Sequence, residues 1–124
     1  MWKLIVIGGP DKLSINSFIN FIKRVVGVSY NIGNMHSLMT NESKELYVKD
    51  FKSKYPNGII GYYAKRMINK DPKDCLPEIV KAEADLIIWF NLYSTDPIIV
   101  KDPGDSSLKT IIDNWNQYIK KLGG

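Results

Sequence analysis

An α/β fold is predicted for this chain, with three layers in which helices lie on both sides of a mainly parallel sheet of four or five strands. Two observations predict it. Short runs such as residues 3–7 and 86–90 are apolar on both faces, and they alternate with segments whose apolar residues recur at helical spacing. Strands that are hydrophobic throughout are typical of parallel sheets covered by helices. Residues 1–124 are expected to form a single domain.

The first half of the chain is predicted to contain two strands and two helices. A strand at residues 3–7 runs into a Gly-Gly-Pro turn, and Asp11 or Ser14 can cap the helix that follows. A second strand is expected at residues 28–32 and a second helix at residues 40–54. The apolar stripe of the first helix consists of Ile15, Phe18, Ile19, Ile22, Val25 and Val26.

The second half is predicted to contain three helices and two strands. A helix is expected at residues 59–68, where apolar residues recur at helical spacing, and another at residues 74–84. Strands are expected at residues 86–90 and 97–100. The last helix is predicted from a stripe formed by Leu108, Ile111, Ile112, Trp115, Ile119 and Leu122.

The composition excludes disordered and membrane-spanning proteins from the expected classes. Hydrophobic residues make up 44% of the chain and charged residues 24%, which is ordinary for a globular domain. The apolar runs are far shorter than the roughly 20 residues that span a bilayer, so no membrane partner is expected. The single cysteine, Cys75, cannot form a disulfide within the chain, which fits a reducing compartment. A cytoplasmic location is therefore expected, in the host cytoplasm if the protein is viral.

The turn after the first strand is the candidate phosphate site, because ligands of α/β folds usually bind at the carboxyl ends of the strands. A P-loop there reads Gly-x-x-x-x-Gly-Lys-Ser/Thr. Starting the motif at Gly8 or at Gly9 leaves its lysine position without a lysine, although Lys12 lies nearby. The candidate phosphate- or nucleotide-binding residues in this turn are Gly8, Gly9, Pro10, Asp11, Lys12 and Ser14.

These features resemble a P-loop nucleoside or deoxynucleoside monophosphate kinase. Residues 3–10 are similar to the first strand and loop of that family, and residues 62–70 to the helix after its monophosphate-binding region. Residues 105–108, Asp-Ser-Ser-Leu, stand close to the turn that precedes the family's last helix. The resemblance implies a P-loop-kinase-like fold, phosphate contacts from Lys65 and Arg66, and ATP or another nucleotide with Mg²⁺ as cofactor.

The sequence departs from the family pattern where the chemistry needs charge. Residues 86–90 run into Asn-Leu-Tyr instead of an aspartate, so no carboxylate stands in place for magnesium, and no arginine-rich lid is found. Phosphoryl transfer depends on positioned cations. We therefore expect a non-catalytic binding or regulatory protein, without catalytic or metal-ligating residues, whose partner is a nucleotide or another protein. A small lysine-rich chain of this kind would suit a viral or phage accessory protein. In the kinases that the chain resembles, the loop that matches the one holding His36 approaches the acceptor nucleotide. The resemblance therefore implies an anion contact for His36.

Two other functions stay open. The chain could be a divergent nucleoside or deoxynucleoside monophosphate kinase that uses Lys12 with Lys65 or Arg66 in place of the missing groups. It could instead be a nucleic-acid-binding module, which its net charge of +4 and its interleaved aromatic residues would suit. The nucleic-acid alternative is not favoured, because Trp89 and Trp115 are expected to lie in the core.

Overall fold

A mainly parallel sheet forms the middle of the fold in the computed structural model, which describes residues 2–64, 71–92, 94–104 and 106–122. The five strands lie in the order second, third, first, fourth, fifth, and only the fifth is antiparallel to its neighbour. The predicted α/β fold with a mainly parallel sheet is confirmed. In chain order the elements are β1 (Leu4–Gly9), α1 (Lys12–Val25), β2 (Asn31–His36), α2 (Asn41–Lys54), β3 (Gly58–Tyr63), α3 (Pro72–Cys75), α4 (Glu78–Glu83), β4 (Leu86–Trp89), β5 (Ile98–Lys101) and α5 (Ser107–Leu122).

Helices cover both faces of the sheet. Side chains of a strand point alternately to its two faces, so Ile5 and Ile7 of β1 pack against α1 and α5 on the first face. Leu4 and Val6 pack on the second face, against α2, α3 and α4. Trp89 and Trp115 are both buried in these cores, as predicted. Burial of apolar surface on both faces of the same strand accounts for its continuous hydrophobic run.

The prediction of a helix at residues 59–68 is wrong, because β3 occupies the start of this segment. Ile59 packs on the first face and Ile60 on the second, and β3 pairs with β1 on one side and β2 on the other. A short run that is buried on both faces has no strand periodicity of its own, so helical spacing within it is accidental. Tyr62 is buried and Tyr63 is half-buried. Residues 65–70 lie outside the described part of the chain.

The second strand begins at Asn31, three residues after the predicted start, and ends at His36. Gly33 and Asn34 lie inside it, although glycine and asparagine are typical of turns. β2 is at the edge of the sheet and most of its residues are exposed, so its polar residues resemble those of a loop. Tyr30, just before the strand, is buried and donates a hydrogen bond to Trp2 O at 3.3 Å.

The helix predicted at residues 74–84 is divided into α3 and α4. Leu76 ends α3, and Pro77 takes the cap position of α4, where its fixed φ and missing N–H do no harm. Asp71 caps α3 by accepting a hydrogen bond from Lys73 N at 2.9 Å. Cys75 is buried at the end of α3.

The other predicted helices and strands are confirmed within one or two residues. Thr40 caps α2, and its hydroxyl accepts a hydrogen bond from Ser43 N at 3.1 Å. The strand predicted at residues 97–100 is β5, which pairs with β4 alone. In the described part of the chain, no helix combines the length and the hydrophobicity needed to cross a bilayer.

Candidate functional site

The carboxyl ends of β3, β1 and β4 meet at one edge of the sheet, which we call the carboxyl edge. Gly8 O accepts a hydrogen bond from Phe90 N at 2.8 Å, and Gly9 O accepts one from Ala64 N at 2.9 Å. After β1 the chain passes to α1 on the first face, and after β3 it reaches α3 on the second face. In open α/β sheets, ligands bind beside strands whose connections leave to opposite faces.

The glycines of the candidate phosphate site belong to β1 and not to a loop. Only Pro10 and Asp11 separate the strand from α1, which leaves a turn of two residues. Gly9 has a φ of 152°, and a Cβ there would collide with the carbonyl oxygen of Phe90. This glycine is therefore required by the close approach of two strands.

The start of α1 already holds a negative charge. Asp11 is its cap, and one carboxylate oxygen accepts a hydrogen bond from Leu13 N at 3.0 Å. The other oxygen accepts one from the Ser14 hydroxyl at 3.1 Å. A phosphate bound at this helix terminus would have to compete with the carboxylate for the same donors and would be repelled by it. The geometry thus makes Asp11 the cap of α1, and the Ser14 hydroxyl holds its carboxylate in place.

A small cleft lies beside this turn on the first face, between the start of α1 and the ends of β2 and β3. Its cavity has a volume of about 120 Å³. We call it the carboxyl-edge cleft. Its lining residues are Lys12, Ile15, Asn16, Asn34, Met35, His36, Gly61 and Tyr63. Ligand pockets for drug-sized molecules typically measure about 300–1,000 Å³, so this cleft is of a size for one small group.

Local packing positions the polar side chains of the cleft. The rings of His36 and Tyr63 meet edge to face, with centroids 5.8 Å apart. Asn34 Oδ1 lies 3.2 Å from the place where a Cβ on Gly61 would stand, so a larger residue there would crowd it. Lys12 is one of the lining residues, and among the described lining residues there is no carboxylate. Donors without an opposing negative charge favour an anionic ligand.

The structure places one of the predicted site residues in the cleft and others outside it. Lys12 lines the cleft, and the other five residues of the turn lie outside its lining. Lys65 and Arg66 fall outside the described residues. The predicted site residues did not include Asn16, Asn34 or Tyr63, which line the cleft. The signal for Asn34 and His36 was their spacing of two residues, which puts both on one face of β2.

A second polar group is buried on the opposite face, near the same edge. It consists of Lys44, Tyr62 and Trp89, and we call it the donor cluster. Lys44 Nζ lies 5.7 Å from the centroid of the Tyr62 ring, and burial lowers the pKa of this lysine. Burial, with a smaller contribution from Cys75, raises the pKa of Tyr62 to about 12. The Tyr62 hydroxyl and Trp89 Nε1 are buried and have no hydrogen-bond partner among the described residues.

Metal ligation has little support in the described ranges, which bring no three His, Cys, Asp or Glu side chains together. Any magnesium at the cleft would depend on oxygens of its ligand, since no described carboxylate lines it. Comparisons with known proteins add no family: no protein-family model matches the chain, and neither a curated protein nor a solved structure matches it.

Proposed function

We propose that the chain is a non-catalytic binding protein that holds a phosphate group in the carboxyl-edge cleft, on a scaffold that resembles a P-loop nucleoside monophosphate kinase. The observation that carries the proposal is the lining of the cleft. Lys12, His36 and Tyr63 line it together with Asn16 and Asn34, and the described lining holds no acidic side chain. These groups can donate hydrogen bonds to several oxygens of one anion.

The size of the cleft supports a phosphate group in preference to a whole nucleotide. A volume of about 120 Å³ leaves no room for a sugar and a base beside the phosphate. In a nucleoside monophosphate, those parts would lie outside the cleft. The proposal therefore moves the phosphate from the helix terminus, which Asp11 occupies, to the adjoining cleft and retains Lys12 as its cationic contact.

The absence of catalysis is proposed on chemical grounds. Transfer of a phosphoryl group is driven by cations that are placed against the transferring oxygens, together with a group that orients the acceptor. Lys12 is the single fixed cation among the described lining residues, and no described carboxylate is present there to serve as a base or to position a metal. The arrangement is suited to holding an anion and supplies little to stabilise a transition state.

The test is a thermal-shift titration with inorganic phosphate and with nucleoside monophosphates. A ligand of the folded state raises the unfolding temperature by mass action, and at 100 times its dissociation constant the gain is about 2.7 kcal/mol. We expect a shift with phosphate that is lost in Lys12→Ala and in His36→Ala. Lys23→Ala is the matched control, because Lys23 is exposed in the last turn of the same helix.

Two results would contradict the proposal. One is an unfolding temperature that does not respond to any of these anions. The other is an equal response of Lys12→Ala and Lys23→Ala, which would identify general screening of a positive protein. If the purified wild-type protein transferred phosphate from ATP to a nucleoside monophosphate, the protein would be a kinase and the proposal of a non-catalytic function would be wrong.

A further inference from the structure

The helices on the two faces of the sheet differ in their charged residues. On the second face, α2, α3 and α4 carry basic and acidic residues in equal number. On the first face, α1 and α5 carry a single acidic residue, Asp113. The basic residues of these two helices are Lys12, Lys23, Arg24, Lys109, Lys120 and Lys121. The net charge of the chain, +4, is therefore concentrated on α1 and α5, which we call the α1–α5 layer.

Ion pairs show the same difference between the two faces. Lys49 of α2 pairs with Glu45 at 2.9 Å, and Lys52 pairs with Glu83 of α4 at 3.2 Å. Among the described residues, every ion pair lies on α2 and α4, and none reaches the α1–α5 layer. Cations without a neighbouring carboxylate produce a positive potential that attracts anions from solution.

Favourable placement at helix ends explains only part of this pattern. Lys23 and Arg24 lie in the last turn of α1, and Lys120 and Lys121 in the last turn of α5, where cations complement the helix dipole. The last turn of α2 also holds basic residues, but each of them is paired with a carboxylate. The shortage of acidic residues on α1 and α5 is therefore a separate property of this layer.

The two helices of the layer pack side by side and present one exposed surface. The guanidinium carbon of Arg24 lies 5.3 Å from the centroid of the Tyr118 ring, and the rings of Phe21 and Trp115 also meet at 5.3 Å. The exposed uncharged polar residues of the layer are Asn16, Ser17, Asn20, Thr110, Asn114, Asn116 and Gln117. Such amides and hydroxyls bind phosphate and sugar oxygens of nucleic acids, next to the cations that neutralise the phosphates.

We propose that the α1–α5 layer binds the phosphate backbone of double-stranded DNA. With 14 residues, α1 is about 21 Å long. The phosphates of one DNA strand follow one another about every 3.4 Å along the duplex axis, so the helix runs past about six of them. A single phosphate group reaches only one end of such a layer, whereas a duplex matches its length.

Three other anionic partners fit the layer less well. Single strands bind to exposed aromatic rings, and Phe18 and Trp115 of this layer are buried. Duplex RNA has a deep and narrow major groove, whereas the wide major groove of DNA admits a helix. A membrane surface needs an exposed apolar helix face, and those of α1 and α5 are buried against the sheet except for Leu13, Val25 and Leu122 at the helix ends.

Fluorescence anisotropy with a labelled DNA duplex of about 20 base pairs, over a series of salt concentrations, tests the proposal. The wild type is expected to bind at low salt, with an affinity that falls steeply as salt is added. The double variant Lys23→Ala/Lys120→Ala should bind about tenfold more weakly, with a salt dependence shallower by about two released counterions. Lys49→Ala/Lys54→Ala is the charge-matched control, because both lysines are exposed on α2, and its affinity should change by less than about twofold.

A wild type that does not bind the duplex at low salt overturns the proposal. Equal losses in the two double variants overturn it as well, because they would identify attraction to the whole positive protein. Tighter binding to a single strand, to duplex RNA or to anionic lipid vesicles than to the DNA duplex would assign the layer to another partner. The phosphate site of the cleft is tested separately by Lys12→Ala, which leaves Lys23 and Lys120 in place, so either proposal can fail without the other.

Discussion

Two buried aromatic regions on opposite faces of the sheet differ in whether their buried polar atoms have hydrogen-bond partners. The first region, which we call the aromatic cluster, is centred on Trp115, whose ring meets that of Phe18 edge to face at 5.0 Å. Trp115 Nε1 donates a hydrogen bond to Thr95 O at 2.8 Å. The donor cluster on the second face buries the Tyr62 hydroxyl and Trp89 Nε1 without such partners. The members of the aromatic cluster are Phe18, Phe21, Phe90, Trp115 and Tyr118.

The difference shows that similar residue types contribute differently to stability. A buried donor without an acceptor costs about 1–3 kcal/mol, while a satisfied one contributes about 1 kcal/mol. Substitutions in the aromatic cluster should therefore weaken the fold, and removal of polar atoms from the donor cluster should strengthen it. Five measurements test this difference between the aromatic cluster and the donor cluster.

The largest effect is expected for Trp115→Ala. This residue is buried at the contact between α1, α5 and the sheet, so its truncation leaves a large cavity and should lower the free energy of unfolding by about 3–5 kcal/mol. Trp115→Phe keeps most of the volume and should lose about 1–2 kcal/mol with the hydrogen bond to Thr95 O. Urea unfolding followed by circular dichroism measures both. Equal losses in the two variants would show that packing does not dominate here.

Lys44→Met should raise the free energy of unfolding by about 1 kcal/mol at pH 7, because it removes a buried charge that has no carboxylate partner among the described residues. Lys49→Met is the control on the same helix, since Lys49 is exposed and paired with Glu45. Its stability should change by less than about 0.5 kcal/mol.

The lowered pKa of Lys44 predicts the direction in which stability changes with pH. Burial lowers the pKa of this lysine in the folded chain below its ordinary 10.5. At pH values between the pKa of Lys44 in the folded chain and its pKa in the unfolded chain, the unfolded chain binds more protons. This residue therefore makes the free energy of unfolding rise with pH in that window. Lys44→Met should remove that part of the rise, as measured by urea unfolding at a series of alkaline pH values. A curve parallel to that of the wild type would exclude a perturbed lysine at this position.

Tyr62→Phe should raise the free energy of unfolding by about 1 kcal/mol, because the hydroxyl that it removes is buried without a partner. Tyr30→Phe is the matched control: that hydroxyl is also buried, but it bonds to Trp2 O, and its loss should lower stability by about 1 kcal/mol. Chemical unfolding of the two variants under one set of conditions compares them. A loss of stability in both would mean that the Tyr62 hydroxyl has found an acceptor.

The smallest signal is the ionisation of a single phenol. The pKa of Tyr62 is raised from 10.0 to about 12, so the folded chain holds this proton while the unfolded chain releases it. This ionisation therefore leaves the free energy of unfolding unchanged below pH 10 and lowers it as the pH rises from 10 towards 12. An ultraviolet titration should show a last phenolate step near pH 12 that Tyr62→Phe lacks. A titration that is complete by pH 11 would contradict the burial of this hydroxyl.

The parts of the fold that could be predicted from sequence are those in which one segment carries its own signal. The amphipathic stripe of α1 and the run of residues 86–90 are examples, because each is decided within a few residues. β3 was missed because Ile59 and Ile60 are buried by strands distant in sequence. β2 was predicted three residues too early, because its exposed polar residues at the sheet edge resemble those of a loop.

The cleft was beyond sequence reasoning because it depends on the register between two strands. Asn34 lies opposite Gly61, and His36 opposite Tyr63, only when β2 pairs with β3 as it does. Lys12 was found because it lies in a motif-like turn that can be read directly. Local patterns therefore point to the end of the sheet at which the cleft lies, and the long-range pairing decides which side chains meet there.

The central position of β1 has a consequence for synthesis of the protein. The ribosome makes this strand before the other four strands of the described sheet, yet its two neighbours are residues 58–63 and 86–89. Ile5 and Ile7 therefore remain unprotected while most of the chain is being made, and a nascent chain that stops before β4 leaves one side of the strand bare. Such intermediates are prone to aggregate, so cellular yield should depend on chaperones more than the stability of the finished fold suggests.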